Sequence, residues 1–143
     1  MLKHKAPWGC IFPKEIKSLC LPGDKPKSDQ EYFEILSLCV LQAGLNWRFV
    51  RRNWDKIKQT FFEFDIDKLA KTSTKQLLDK SIIKNRRKIK AIVNNAKKFK
   101  SIIKEYGSFE NFLNISKDLK SEIRKFEHIG DYSTEYFLHS IHK

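Results

Sequence analysis

Cysteine is scarce and unpatterned. Cys10, Cys20 and Cys39 are odd in number and form no Cys-x-x-Cys pair, so neither a disulfide framework nor a zinc knuckle is indicated and a reducing, cytoplasmic setting is expected. Histidine is equally thin: His4, His128, His139 and His142 are scattered. His139 and His142 lie three apart, but no carboxylate or cysteine completes a four-ligand set at recognisable spacing. No metal and no cofactor are therefore expected. The five glycines build no phosphate-cradling loop, and neither a nucleophile elbow nor a kinase signature occurs, which removes most nucleotide-driven enzymes. Long apolar runs are missing too, because Lys and Glu punctuate every hydrophobic stretch, so no membrane partner is expected. The basic start Met1-Leu2-Lys3-His4-Lys5 is followed by Pro7, Gly9, Pro13, Lys14 and Glu15, which interrupt the apolar region a signal peptide needs; secretion is not expected.

Acidic residues are also in deficit, with Asp+Glu 17 against Lys+Arg 29 and a formal charge of +12. Such a field favours polyanions: nucleic acid, an anionic membrane face or an acidic protein. Only six of the cations are arginine (Arg48, Arg51, Arg52, Arg86, Arg87 and Arg124). The lysine-, Ile- and Asn-rich remainder is also what a biased genome produces, so charge alone leaves a nucleic-acid surface and a compositional origin side by side. At 143 residues, 41% hydrophobic and 32% charged, the chain is too apolar for a disordered tail. It is sized for one domain that buries roughly 68% of its unfolded surface.

Proline divides the chain. All four prolines (Pro7, Pro13, Pro22, Pro26) fall within residues 1–28, which predicts an irregular arm with one short helix at most, near Lys14 to Leu21, wrapped on a core made elsewhere. Residues 29–143 read as a single all-α domain. Ser28-Asp29-Gln30-Glu31 has the capping-box form and opens a helix. Phe33, Ile35, Leu36, Leu38, Cys39, Val40 and Leu41 make that helix apolar nearly all round, the mark of a buried central rod, and it should stop at Gly44. A second helical segment, Trp47 to Phe61, sets Arg48, Arg51, Arg52 and Lys56 against Phe49, Val50, Trp54 and Ile57. Short helices follow at Ile66 to Ala70, capped by Asp65, and at Thr74 to Asp79. The strongest periodicity runs from Asn85 to Tyr106, where Ile89, Ile92, Val93, Ala96, Phe99, Ile102, Ile103 and Tyr106 repeat at three and four until Gly107 ends the helix. Ser108 caps a further short helix, and Leu119, Ile123 and Phe126 mark another. His128-Ile129-Gly130-Asp131 then breaks the pattern before a last helix from about Tyr132. With no alternating β-branched window and no repeat, the expected architecture is a compact bundle of about seven helices with a helix, tight turn and helix near the C-terminus.

Two local groupings could carry function. The hairpin Phe126 to Ser133 ends in a helix start whose unpaired N–H groups and positive dipole end suit a phosphate oxygen, although an ordinary αα turn has the same pattern and Asp131 opposes an anion. The other is Gln42-Ala43-Gly44-Leu45-Asn46-Trp47, where an apolar helix ends in glycine and is followed by a tryptophan and an arginine cluster. An aromatic ring there can wall a pocket for a flat, electron-poor base, with stacking and cation–π attraction worth roughly 1 to 3 kcal/mol; core packing is the plainer reading of Trp47, and of Trp8 and Trp54 still more so.

That hexapeptide, then Phe64-Asp65, then Ile82-Ile83-Lys84-Asn85-Arg86-Arg87-Lys88-Ile89 and Asn94-Asn95-Ala96, follow the order and spacing of the 3-methyladenine DNA glycosylase I family. The chain resembles that family from about Ser28 to Asn95, and more loosely through Ile129-Gly130 to Tyr136-Phe137. The resemblance implies a helix-hairpin-helix fold and base-excision repair of alkylated duplex DNA: the damaged nucleotide is flipped out, held against an aromatic wall, and cut at its N-glycosidic bond. Methylation leaves the base cationic, so it departs readily without strong general-acid help.

In the same resemblance Trp47 matches the stacking tryptophan, and Cys39, Gln42 and Gly44 complete a base pocket. The hairpin residues Ile129, Gly130, Asp131, Tyr132 and Ser133 would grip backbone phosphate, with Arg48, Arg51, Arg52, Arg86, Arg87 and Lys88 as the basic footprint. Cys39 stands where the family carries its base-binding glutamate, and a thiol supplies no negative charge, so no catalytic residue is assigned. Gln42, three residues on, could hydrogen-bond a flipped base through its amide, whereas Glu31 and Glu34 are not spaced to replace the missing acid. The family's zinc clip and its pocket tyrosine find no match in this sequence. Three readings follow: a monomeric glycosylase, a non-catalytic DNA-binding relative, and a protein-interaction domain whose lysines are compositional and which would show no salt-dependent DNA binding at all.

Overall fold

The computed structural model describes residues 6–7 and 23–143, and those residues form nine α-helices and no strand. The short helix expected near Lys14 to Leu21 lies outside the described residues. The helices are α1 (Asp29–Gln42), α2 (Trp47–Arg52), α3 (Trp54–Thr60), α4 (Ile66–Lys71), α5 (Thr74–Lys80), α6 (Arg86–Tyr106), α7 (Phe109–Ile115), α8 (Leu119–Arg124) and α9 (Asp131–Ser140). None is long and apolar enough to cross a membrane.

Nine helices stand where about seven were expected, in part because the segment from Trp47 to Phe61 is two helices. Asn53 separates them: its side-chain amide donates to the Phe49 carbonyl at 2.8 Å, a local bond that competes with the helical ladder. The capping box expected at Ser28 is only half made. Ser28 Oγ accepts from the Glu31 N–H at 3.2 Å, but the Glu31 carboxylate accepts from the Lys27 N–H instead of closing back on Ser28. A full box forms at α5, between Ser73 and Gln76.

Apolar side chains of α6, among them Ile89, Ile92, Ala96 and Phe99, lie at the centre of the core, and α1, α4, α5 and α7 pack around this helix. α1 is buried almost throughout because α9 covers it as well. Burial of each large apolar side chain in such a core is worth about 1.5 to 3 kcal/mol, which is why α1, the most apolar segment, is enclosed on nearly every side. Between α3 and α4 the chain turns through Phe62, Glu63 and Phe64, all at positive φ (55°, 58° and 59°), a conformation costing L-residues roughly 1 to 2 kcal/mol each. The Phe64 ring offsets this by stacking on both Trp54 and Phe61, at centroid distances of 5.3 and 5.6 Å.

Three polar anchors join the helix ends. Gly44 takes φ 70° and turns the chain out of α1, and Asn46 caps α2 by accepting from the Phe49 N–H. Lys88, in the first turn of α6, donates to the Leu41 carbonyl at 2.9 Å and to the Ala43 carbonyl, so the start of α6 is tied to the end of α1. Asn95 clamps the turn between α8 and α9, accepting from the Glu127 N–H at 2.8 Å and donating to the Glu127 carbonyl at 3.2 Å.

Candidate functional site

The end of α1, the start of α2 and the first turns of α9 enclose a slot of about 180 Å³. From α1 and its exit come Cys39, Gln42, Ala43 and Gly44; Trp47 contributes the indole of α2; Tyr132, Ser133 and Tyr136 face in from α9. Trp47 is only partly buried, with open space beside it. The rings of Tyr136 and Tyr132 meet the indole edge-on, at 5.2 and 6.0 Å, and lie nearly parallel to each other at 6.5 Å. The volume is below the ~300–1,000 Å³ usual for drug-sized ligands and suits one flat ring system. The expected pocket group of Trp47, Cys39, Gln42 and Gly44 is thus brought together in space.

Tyr136 was not singled out from sequence as a wall residue. Its signal was the spacing of Tyr132, Ser133 and Tyr136, which share one helix face at i, i+1 and i+4; which neighbour that face meets is not written locally.

Polar chemistry at the slot is organised by Arg51. Its Nε and Nη2 both donate to Gln42 Oε1 at 3.2 Å, and Nη2 also donates to the Tyr136 hydroxyl at 2.6 Å. The guanidinium lies 4.7 Å from the Trp47 ring centroid and 5.7 Å from that of Tyr136. Gln42 is 2% exposed, and its Nε2 makes no bond to any described residue. Cys39 is fully enclosed. Burial pushes its thiol up to about 12, with only a partial opposing pull from Arg51, so it stands in the slot as a neutral S–H. Glu34 is committed elsewhere, accepting from Trp54 Nε1 at 2.8 Å and pairing with Lys58 at 3.3 Å.

Several expected DNA contacts are placed differently. Arg51 is 6% exposed and Lys88 3%, so both leave the surface footprint: the amide, hydroxyl and carbonyl oxygens inside bind them in place of phosphate. Burial pulls the Lys88 ammonium down to about 8. Ile129 is also interior and packs in the core. Arg48, Arg52, Arg86 and Arg87 are exposed. In the hairpin, Gly130 is extended (φ −98°) and the left-handed residue is His128 (φ 61°), so the tight turn falls two positions before the glycine. Asp131 pairs with Arg124 at 3.1 Å, both being well exposed. No side-chain cap closes the start of α9. His128 is held below the usual imidazole range by burial first and by Lys88 and Arg87 second. Hairpin and α6 start are therefore neighbours.

Among the described residues no His, Cys, Asp and Glu group capable of holding a metal is found.

A family model described as methyladenine glycosylase matches residues 23–138. Among solved structures, 3-methyladenine DNA glycosylase I from Staphylococcus aureus is similar in fold, with 22% identity, a TM-score of 0.74 and coverage of 96% of this chain and 89% of that one. A tyrosine-to-phenylalanine variant of a 3-methyladenine DNA glycosylase I, solved with 3-methyladenine, gives a TM-score of 0.73 at 22% identity, over 96% of this chain and 90% of that. A solution structure of 3-methyladenine DNA glycosylase I, described as revealing a mode of alkylated base recognition, gives 0.64 at 23% identity, over 82% and 79%.

Proposed function

The chain belongs to the methyladenine glycosylase family, and on that premise we propose that it is a DNA base-excision glycosylase that turns an alkylated adenine, 3-methyladenine foremost, out of the duplex into the Trp47 slot and hydrolyses its N-glycosidic bond. The supporting observation is the slot: a base-sized space walled by one indole and two phenols at the end of a buried helix. Stacking on Trp47 holds the ring, while Tyr132 and Tyr136 narrow the opening and exclude water from the base face. Bond cleavage sends the bonding pair into the methylated ring, which thereby loses its positive charge. Water adds its oxygen to C1′ and gives a proton to solvent, leaving free base and an abasic site. In this role Arg48, Arg52, Arg86 and Arg87 meet phosphates beside the mouth, and the backbone from Gly130 to Ser133 grips the strand.

Base release from methylated duplex DNA tests this. Wild type is expected to liberate 3-methyladenine, and Trp47→Ala, stripped of about 1 to 3 kcal/mol of stacking, to do so from about fivefold to beyond a hundredfold more slowly. Equal release by both proteins would remove Trp47 from the site. A second reading, a DNA-binding relative without catalysis, is favoured by the uncharged Cys39 thiol in the slot. Tight DNA binding without base release by wild type, with release gained by Cys39→Glu, is the outcome that selects it.

A further inference from the structure

The chain leaves α1 through Ala43, Gly44, Leu45 and Asn46 before it reaches the Trp47 wall, and hydrogen bonds hold this exit more than packing does. Gly44, Leu45 and Asn46 are exposed, and a Cβ at Gly44 would meet no described atom within 4 Å. The last carbonyls of a helix need donors from outside it, and its negative dipole end favours a cation. α1 carries no basic residue in its last turn. The Leu45 N–H donates to the Gln42 carbonyl at 3.0 Å, and Lys88, from the first turn of α6, donates to the carbonyls of Leu41 and Ala43.

Packing alone does not call for a lysine at position 88. The start of α6 is the positive end of that helix, which disfavours a cation, and Lys88 is 3% exposed with no carboxylate paired to it among the described residues. Burial pulls its ammonium down to about 8, so at pH 7 the charged form with three donors still meets those carbonyls. Arg86 and Arg87, in the same turn, face solvent. One turn of α6 therefore offers cations to a strand outside and a cation to the end of α1 inside.

We propose that Lys88 is a positioning residue for base release: its ammonium fixes the α1 exit, and with it the placement of the Trp47 indole against Gln42 and Cys39, while taking no part in the grip on DNA. The proposal rests on the slot being the base site. Lys88 does not line the slot; it acts through Ala43, which does.

Lys88→Met tests this, because the thioether fills nearly the same space and donates no hydrogen bond. Loss of a buried, unpaired charge offsets the two lost bonds, so the melting temperature is expected to stay close to that of wild type. On methylated duplex DNA, in single turnover at saturating protein, release of 3-methyladenine is expected to slow by about tenfold to a hundredfold, the consequence of a wall misplaced by about 1 Å. DNA affinity and its salt slope should match wild type, amide exchange from Ala43 to Trp47 should quicken, and Lys88→Arg, which keeps charged donors, should recover most of the rate. Release by Lys88→Met at the wild-type rate, or unchanged exchange at the exit, overturns the proposal. So does a large fall in melting temperature, which would make Lys88 a general structural residue, or a lower salt slope, which would return it to the phosphate contacts. If wild type releases no base, the glycosylase reading falls, and titration with free 3-methyladenine, followed by tryptophan fluorescence, decides the proposal. Binding about tenfold weaker to Lys88→Met than to wild type supports it; equal binding, or none to either, overturns it.

Discussion

Cys39 shows how far burial can decide the character of one side chain. With its thiol pushed up to about 12, the thiolate fraction at pH 8 is on the order of 10⁻⁴, and both nucleophilicity and charge are switched off. Iodoacetamide at pH 8 is therefore expected to leave Cys39 unlabelled in the folded protein and to label it on denaturation, as read by peptide mass mapping; prompt labelling under native conditions contradicts the enclosed thiol. That Trp47, Gln42 and Gly44 lie together could be read from their closeness in the chain, across the glycine that ends α1. The inward turn of Arg51 and Lys88 could not be read. Their positions on a helical wheel say that they are basic, but not that a glutamine amide, a phenol and two helix-end carbonyls wait inside to take them. Long cationic side chains reach inward or outward with equal ease, and the acceptors decide.

Helix identity followed from local chemistry more faithfully than helix contacts did. Caps at Asn46, Asp65, Ser73, Asn85 and Ser108 and the glycine stop at Gly107 all act through groups within four residues, so the starts of α2, α4, α5, α6 and α7 and the stop of α6 rest on local sequence. The break at Asn53 was missed because an asparagine inside an amphipathic run is ambiguous until its amide chooses a carbonyl. The hairpin between α8 and α9 owes its shape to α6. Asn95 is 32 residues away in the chain and binds both backbone groups of Glu127. Asn95→Ala should leave those two groups unpaired at a cost of about 1 to 3 kcal/mol. The expected signature is faster hydrogen exchange confined to the hairpin and the start of α9, with weaker DNA binding. Unchanged exchange there would show that the turn holds itself.

The charge of +12 acts through the parts of it that face solvent. Arg86 and Arg87 are exposed at the start of α6, next to the hairpin, whereas Arg51 is enclosed behind the slot. For DNA binding, the slope of log K against log salt should fall by about 0.9 for each phosphate contact removed. Arg86→Ala combined with Arg87→Ala is expected to lower it by about 1.8, and Arg51→Lys to leave it unaltered. A slope that does not respond to the exposed pair, measured between low and moderate salt, would place the phosphate footprint elsewhere on the protein.

Helical class, the buried central rod, the position of most caps and the family resemblance all lie in patterns a few residues long, since periodicity and capping are short-range physics. The slot itself, its tyrosine walls and the inward turn of Arg51 and Lys88 depend on which helix faces meet. That is a matter of packing between segments as far apart as α1 and α9, where burial changes both the protonation of Cys39 and the orientation of the amide beside it.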